Sequence, residues 1–449
     1  MKQDKGNKDK ADLLVTGDYV LTFNQKKTIV EKGAVVVKGD RIAAIGKASE
    51  VEDKIEAREV LDASGCLIMP GLINLHTHAA MTCFRGIADD LPLQAWLYEH
   101  IFPVEARHVS EEMVYWGTLL AVVEMVKSGT TTFCDGYFCE DGAARAAASS
   151  GVRAVLAQGV IDLPAPGVPN PKGNLKIAED FVVRWQEESS RLTPSIFCHS
   201  PYTCSPQTLS RAKEICTEHK ILFQIHLAET RDELEEIRKR YGRRPVEHLK
   251  TLDLLDVDTL CHHPVWVNED EIGLLAQSAV GVSHNPESNM KLAAGVAPLP
   301  RMLARGVKVG LGTDGCASNN NLDMLQEMDT TAKLHKVYWG DPTLCSAAQV
   351  VAMATYGGAN AMNMASEVGS LEPGKKADLI TIDLNQPHLT PMYEPCSHLV
   401  YAARGADVRD VIIDGRMVMR RRQLVDIDEQ EIMGKVREIA DAIRSGHRA

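Results

Sequence analysis

Apolar and polar positions along the chain fall into two textures. Near the beginning, Val15 to Phe23 and Ala34 to Ile45 are short, partly alternating apolar runs, and Lys38-Gly39-Asp40 breaks the second into a predicted hairpin. The same texture returns in KADLITIDL (376–384) and VRDVIIDGRMVM (408–419), where Asp414-Gly415 is a two-residue hairpin signal. Between about 70 and 370 the pattern changes: short apolar runs alternate with helix-like segments, as in βα units around a parallel sheet. One helix is bounded clearly, with Ser110 as N-cap, Glu111 and Glu112 in the first turn, an apolar stripe through Val123 and Gly129 as the stop. A last amphipathic helix is expected over about 428–445, and the closing GHRA reads as a frayed tail.

Eight candidate strands end near His78, Asp135, Val160, His199, His226, His263, His284 and Asp314, so five of them end at a histidine. In a closed (β/α)8 barrel the carboxyl ends of all strands meet at one rim, where active sites sit. The expected class is therefore α/β. A TIM-like barrel over 69–372 is bracketed by two β-rich ends, 1–68 and 373–449, the latter carrying the terminal helix.

Composition narrows the choice of partners. At 449 residues the chain can enclose a large core. Its net charge of −12 argues against a nucleic-acid or anionic-membrane surface. RKRYGRR (238–244) and RMVMRRR (416–422) are short basic clusters, read as solvated faces or turns. Eleven cysteines without a C-x-x-C pair form neither a disulfide ladder nor a zinc ribbon and point to a reducing compartment. The charged start MKQDKGNKDKAD lacks an apolar leader, and no stretch is long enough to span a bilayer, so a cytoplasmic protein is expected.

The chemistry begins in GLINLHTH, where an apolar run stops at His76 and His78. Residues i and i+2 of a strand project to the same side, so both imidazoles can face one ion. FQIHLAET supplies a third strand-end histidine, His226, followed by Glu229; VGLGTDGCASNNN ends a strand near Asp314. Three imidazoles and a carboxylate suit one divalent ion, zinc first and ferrous iron less specifically. Such an ion lowers the pKa of bound water. Glu229 is then the expected proton carrier, and His263 in CHHPVWV the expected donor to the developing oxyanion, although His262 is also open. Asp314 is a further proton acceptor during attack.

Other residues have plainer readings. His284 either lines the site or is a hydrogen-bonded structural residue, and Trp96 is weighed evenly between pocket and core. His100, His108, His219, His248, His335, His388, His398 and His447 read as surface or helix residues without strand-end company, and Cys134 and Cys139 as small buried residues. No nucleotide-cradling G-x-x-x-x-G-K-[ST] or G-x-G-x-x-G is present.

PGLINLHTHAAMTCFRGIADDLPLQAWL, HSPYTCS, HLAET, HNPESNMKLAAG and GTDGCASNNNLD together resemble the amidohydrolase superfamily. The likeness is greatest to its 5-methylthioadenosine/S-adenosylhomocysteine deaminase branch, with the s-triazine chlorohydrolases and aminohydrolases as near relatives, and runs from about residue 12 to about 420. The resemblance implies one metal in a distorted (β/α)8 barrel, with a small β-sandwich assembled from both chain ends, His76, His78, His226 and Asp314 in the ligand positions and Glu229 and His263 in the catalytic ones. It puts Glu105 at the ribose hydroxyls, His199 at the purine nucleoside, and Trp96 at the pocket wall. SIFCHS on the fourth strand carries no lysine for a two-metal bridge.

The activity implied is hydrolytic deamination of a free adenine nucleoside in a homo-oligomeric enzyme. The alternatives are the same chemistry on guanine, a pterin or an s-triazine, or a silent scaffold. The H-x-E and P-C-x-x-C signatures of nucleic-acid editing deaminases are missing. After strand three the chain reads Gln158-Gly159-Val160-Ile161-Asp162 with no basic residue before Lys172, which favours a neutral 5′ group over a homocysteine tail.

Overall fold

The structure is a computed structural model that describes residues 8–446. Four strands come first: β1 (Asp9–Leu21), β2 (Ile29–Lys38), β3 (Arg41–Lys47) and β4 (Ile55–Pro70). The barrel strands follow as β5 (Leu72–Thr77), β6 (Thr130–Tyr137), β7 (Arg153–Val160) and β8 (Leu192–Cys198), then β9 (Phe223–His226), β10 (Thr259–His262), β11 (Gly281–His284) and β12 (Lys308–Leu311). They lie in sequence order in one parallel sheet. Nearly every residue in these strands is buried, because helices cover one face and the barrel interior the other. That is why the sequence shows continuous apolar runs there instead of alternation.

Both chain ends build the second sheet. β13 (Leu379–Asp383), β14 (Val408–Ile413), β15 (Arg416–Arg420) and β16 (Gln423–Leu424) join the first four strands in the order β16-β15-β14-β13-β4-β1-β2-β3. The expected sandwich is thus one continuous mixed sheet in its hydrogen bonding, with β1 and β4 parallel. Hairpins turn at Gly39-Asp40 and at Asp414-Gly415, as the turn signals predict. Ser110 caps the helix Glu111–Lys127 by accepting from the Met113 amide. Gly446 closes the final helix, Glu429–Gly446, and the remainder of the expected tail, with His447, lies outside the described residues. No described helix is long and apolar enough to cross a membrane.

Side chains close the seam between β5 and β12. The buried Asn74 donates to Thr313 Oγ1 at 2.8 Å and accepts from the Thr313 amide at 3.0 Å, while the Asp314 amide donates to the His76 carbonyl at 2.9 Å. Gly312 makes this approach possible, since a Cβ there would lie 2.7 Å from the His76 amide nitrogen.

A second link ties the barrel floor to the chain ends. Arg153, the first residue of β7, is buried and holds Asp378 through Nε at 2.7 Å and Asp414 through Nη2 at 2.8 Å. Lys376 adds a further contact to Asp414 at 3.3 Å.

One histidine reading is corrected. His335 sits on the helix Met324–Trp339 but is fully buried, and its Nε2 lies 3.0 Å from Nε2 of His284 at the end of β11. It therefore does have strand-end company, because that helix packs its inner face on the strand ends. The same pairing accounts for His284, which does not line the main cavity.

Asn74→Ala removes both seam bonds and leaves the Thr313 amide without its acceptor, so stability should fall by about 1–3 kcal/mol. Urea unfolding measures it, and a loss under about 0.5 kcal/mol would show that the seam does not depend on Asn74.

Candidate active site and metal centre

Three strand ends, those of β5, β9 and β12, bring candidate ligands together at the barrel mouth. His76 Nε2 lies 3.3 Å and His78 Nε2 3.4 Å from Asp314 Oδ1, and His226 Nε2 lies 3.2 Å from His76 Nε2. His76 belongs to two overlapping groups of donors, one with His78 and Asp314 and the other with His226 and His263. Donors held tetrahedrally about 2.0–2.1 Å from a common ion are about 3.3–3.4 Å apart, close to these three contacts.

Hydrogen bonds fix the ring orientations. His78 Nδ1 donates to the Gly136 carbonyl at 2.6 Å, and His226 Nδ1 to the His199 carbonyl at 2.8 Å, so each Nε2 presents a lone pair to the centre. Burial lowers His76 to about 3 and keeps it neutral, and it lowers His226 well below the usual imidazole range. Asp314 Oδ2 accepts from Ser288 at 2.6 Å and Ser318 at 2.8 Å, and Oδ1 from the Gly315 amide at 2.8 Å. Three donors favour the ionised carboxylate. With the lone pairs of His78 Nε2 and His226 Nε2 turned toward this centre, a cation among them offsets the repulsion between electron-rich atoms this close. The donor set therefore fits a metal chemically as well as geometrically.

The two adjacent histidines after β10 have different places. His262 ends the strand inside the barrel, stacked 3.9 Å from His76 with Nε2 on Gln224 Oε1 at 3.1 Å. His263 turns out through a left-handed backbone, φ 77°, and lines the cavity. Its Nδ1 donates to Asn289 Oδ1 at 2.9 Å, leaving Nε2 for the cavity. Asp314 has a left-handed backbone too, φ 65°. Such conformations cost about 1–3 kcal/mol each in non-glycine residues and gather at sites where a side chain must be aimed.

Glu229 is half-buried at the cavity wall and makes no side-chain hydrogen bond among the described residues. Loss of water pushes its carboxyl up, with Asp314 reinforcing the rise and His263 and His78 opposing it. Its loop is braced by Glu233, whose carboxylate accepts from the Ala228 and Glu229 amides at 2.7 and 2.9 Å.

A cavity opens over the cluster. The segment Leu93–His108 forms one wall and brings both Trp96 and Glu105 to it. Trp96 is buried and its indole N–H has no partner among the described residues. Glu105 is raised to about 7 by burial, and Tyr137 donates to its Oε1 at 2.5 Å. His199 follows β8 with Nδ1 2.9 Å from Thr203 Oγ1, and burial lowers it to about 4. All the site residues expected from the sequence thus border one cavity, apart from His76, which lies beneath it.

Sequence reasoning missed Tyr137, Ser288, Ser318 and Asn289. The last three stand in HNPESN and TDGCASNNN, beside the residues they orient, yet nothing in those strings shows which side chain each one holds.

Comparison with known proteins agrees with this geometry. The amidohydrolase family model matches residues 67–418. The 5-methylthioadenosine/S-adenosylhomocysteine deaminase of Syntrophobacter fumaroxidans is 49% identical over 97% of this chain and 99% of its own. The 5′-deoxyadenosine deaminase of Methanosarcina mazei is 44% identical over 96% and 98%. The crystal structure of an adenosine deaminase from Xanthomonas campestris with bound zinc superposes with a TM-score of 0.96 at 34% identity, covering 98% of this chain and 100% of that one. The seam, the converging donors and the match across most of the chain have one explanation: this protein belongs to the amidohydrolase family.

Proposed function

We propose that the chain holds one divalent ion, zinc by preference, on His76, His78, His226 and Asp314, and deaminates an adenine nucleoside at C6 by hydrolysis. The substrates in view are 5′-methylthioadenosine, 5′-deoxyadenosine and S-adenosylhomocysteine, each giving its inosine analogue and ammonia. The observation that supports this reading is the gathering of His76, His78, His226 and Asp314 at the barrel mouth, linked through His76 and Asp314 by contacts of 3.2–3.4 Å, below a cavity that Glu229 and His263 line.

A divalent ion at this point supplies hydroxide near neutral pH by acidifying water. The remaining work belongs to the chain. Glu229 takes the proton given up by the attacking water and delivers it to the ring nitrogen beside C6; its raised pKa suits both halves of that transfer. His263, held by Asn289, keeps Nε2 toward the oxygen being added, and Asp314 assists the proton transfers. The added hydroxyl gives up its remaining proton through Asp314 to the amino group, and the tetrahedral carbon collapses to the C6 carbonyl as ammonia leaves. Glu105 accepts from the ribose diol through the oxygen that Tyr137 leaves free, and His199 and Trp96 border the nucleoside.

Metal analysis of the purified chain should give close to one equivalent of zinc or iron, and Asp314→Ala or His226→Ala should bring it to background. Full occupancy in either variant would remove that residue from the ligand set.

Glu229→Gln should retain the metal yet lower kcat for methylthioadenosine about 10²–10⁴-fold in an ammonia-release assay. Unchanged turnover would assign the proton transfer elsewhere.

Glu105→Ala should cripple nucleoside turnover and spare any activity on free guanine or a triazine; equal loss on both would remove Glu105 from the ribose. The Glu105 carboxyl, near 7, is neutral below that pH and an acceptor above it. KM for ribonucleosides should therefore fall as pH rises from about 6 to about 8, with no such trend for 2′,3′-dideoxy analogues.

A further inference from the structure

A nucleoside with its ring over the metal cluster and its diol on Glu105 directs its 5′ substituent into the rest of the cavity. The character of that space follows from its walls. Glu105, Glu229 and Asp314 are the acidic groups that line it, and no lysine or arginine does so. The imidazoles of His78, His199, His226 and His263 also line it. Elsewhere the walls are apolar, including Phe102, Phe138, Val160 and Tyr202.

Neighbouring polar and cationic side chains are committed elsewhere. Gln158 precedes two lining residues but is buried away from the cavity: its Oε1 accepts from the Glu140 amide at 3.2 Å and its Nε2 donates to the Gly159 carbonyl at 3.3 Å. Arg240 pairs with Glu236 and donates to the Tyr202 carbonyl at 2.7 Å. Lys291 pairs with Asp89 at 2.6 Å. Arg231 lies in a separate outer recess that shares Leu93 and Leu292 with the cavity, its guanidinium 6.0 Å over the Trp266 ring.

We infer, granted the deamination proposed above, that the cavity takes adenine nucleosides with a short uncharged 5′ group, hydrogen or methylthio, and rejects one whose 5′ thioether ends in an α-amino acid. A carboxylate there would give up its water among largely apolar walls that include the acidic Glu105, with no lysine or arginine side chain lining the space to replace the lost hydration. A hydrogen or methylthio group loses nothing comparable and gains from apolar burial.

The test is kcat/KM for ammonia release by the metal-loaded full chain on four nucleosides: methylthioadenosine, 5′-deoxyadenosine, 5′-butylthioadenosine and S-adenosylhomocysteine. The same four are titrated calorimetrically into metal-loaded Glu229→Gln protein, which reads selectivity without turnover. The three neutral nucleosides should agree within about tenfold, and S-adenosylhomocysteine should fall at least about 100-fold below them in both measurements. Comparable values for S-adenosylhomocysteine overturn the inference, and their loss in Arg231→Ala would name the outer recess as the anchor. Rejection of the butylthio compound as well overturns it differently, by assigning the selectivity to length. Absence of turnover on all four sinks the proposed reaction, while the binding series still decides the selectivity.

Discussion

Crowding lone pairs at a water-poor barrel mouth is the constraint on which the rest of this structure depends. Three imidazoles and a carboxylate, linked in a chain of 3.2–3.4 Å contacts, are favoured together by positive charge among them. The surrounding fold holds them at that distance. Backbone carbonyls at Gly136 and His199 set the ring tautomers, two serines turn the aspartate, and Asn74 clamps the two strands that carry His76 and Asp314. Left-handed backbone at His263 and Asp314 is the local cost of aiming side chains inward from the ends of strands.

The cavity divides its labour by polarity. Its floor gathers the groups able to bind a cation or move a proton, and its walls are mostly aromatic and aliphatic. Apolar walls raise the carboxyls of Glu229 and Glu105 by removing water, and Tyr137 orients the second by donating to it. Burial thus tunes reactivity here through the same residues that shape the space.

Much of the fold was legible because parallel strands buried on both faces write themselves as apolar runs. The strand ends near His78, His226 and Asp314 lie within three residues of where β5, β9 and β12 stop. The ligands were legible because an i, i+2 pair can face one point and because barrel strands share a rim. What the chain did not disclose depends on contacts between distant elements. Asn74 meets Thr313 across 239 positions and Tyr137 meets Glu105 across 32, so neither partner appears in any local pattern. His335 was misread for a related reason: it lies on an otherwise plain helix, and only docking against β11 buries it. The choice between His262 and His263 needed the end of β10, where the backbone leaves the strand and sends the second ring outward.

The buried cluster around Arg153 bears on how the molecule is made. Its two aspartate partners lie 225 and 261 positions further along. A guanidinium buried without them is strongly unfavourable. A barrel without the segment that carries Asp378 and Asp414 would leave this guanidinium buried and unpaired, so the C-terminal strands are part of what keeps the barrel closed at its base and not an appendage to it.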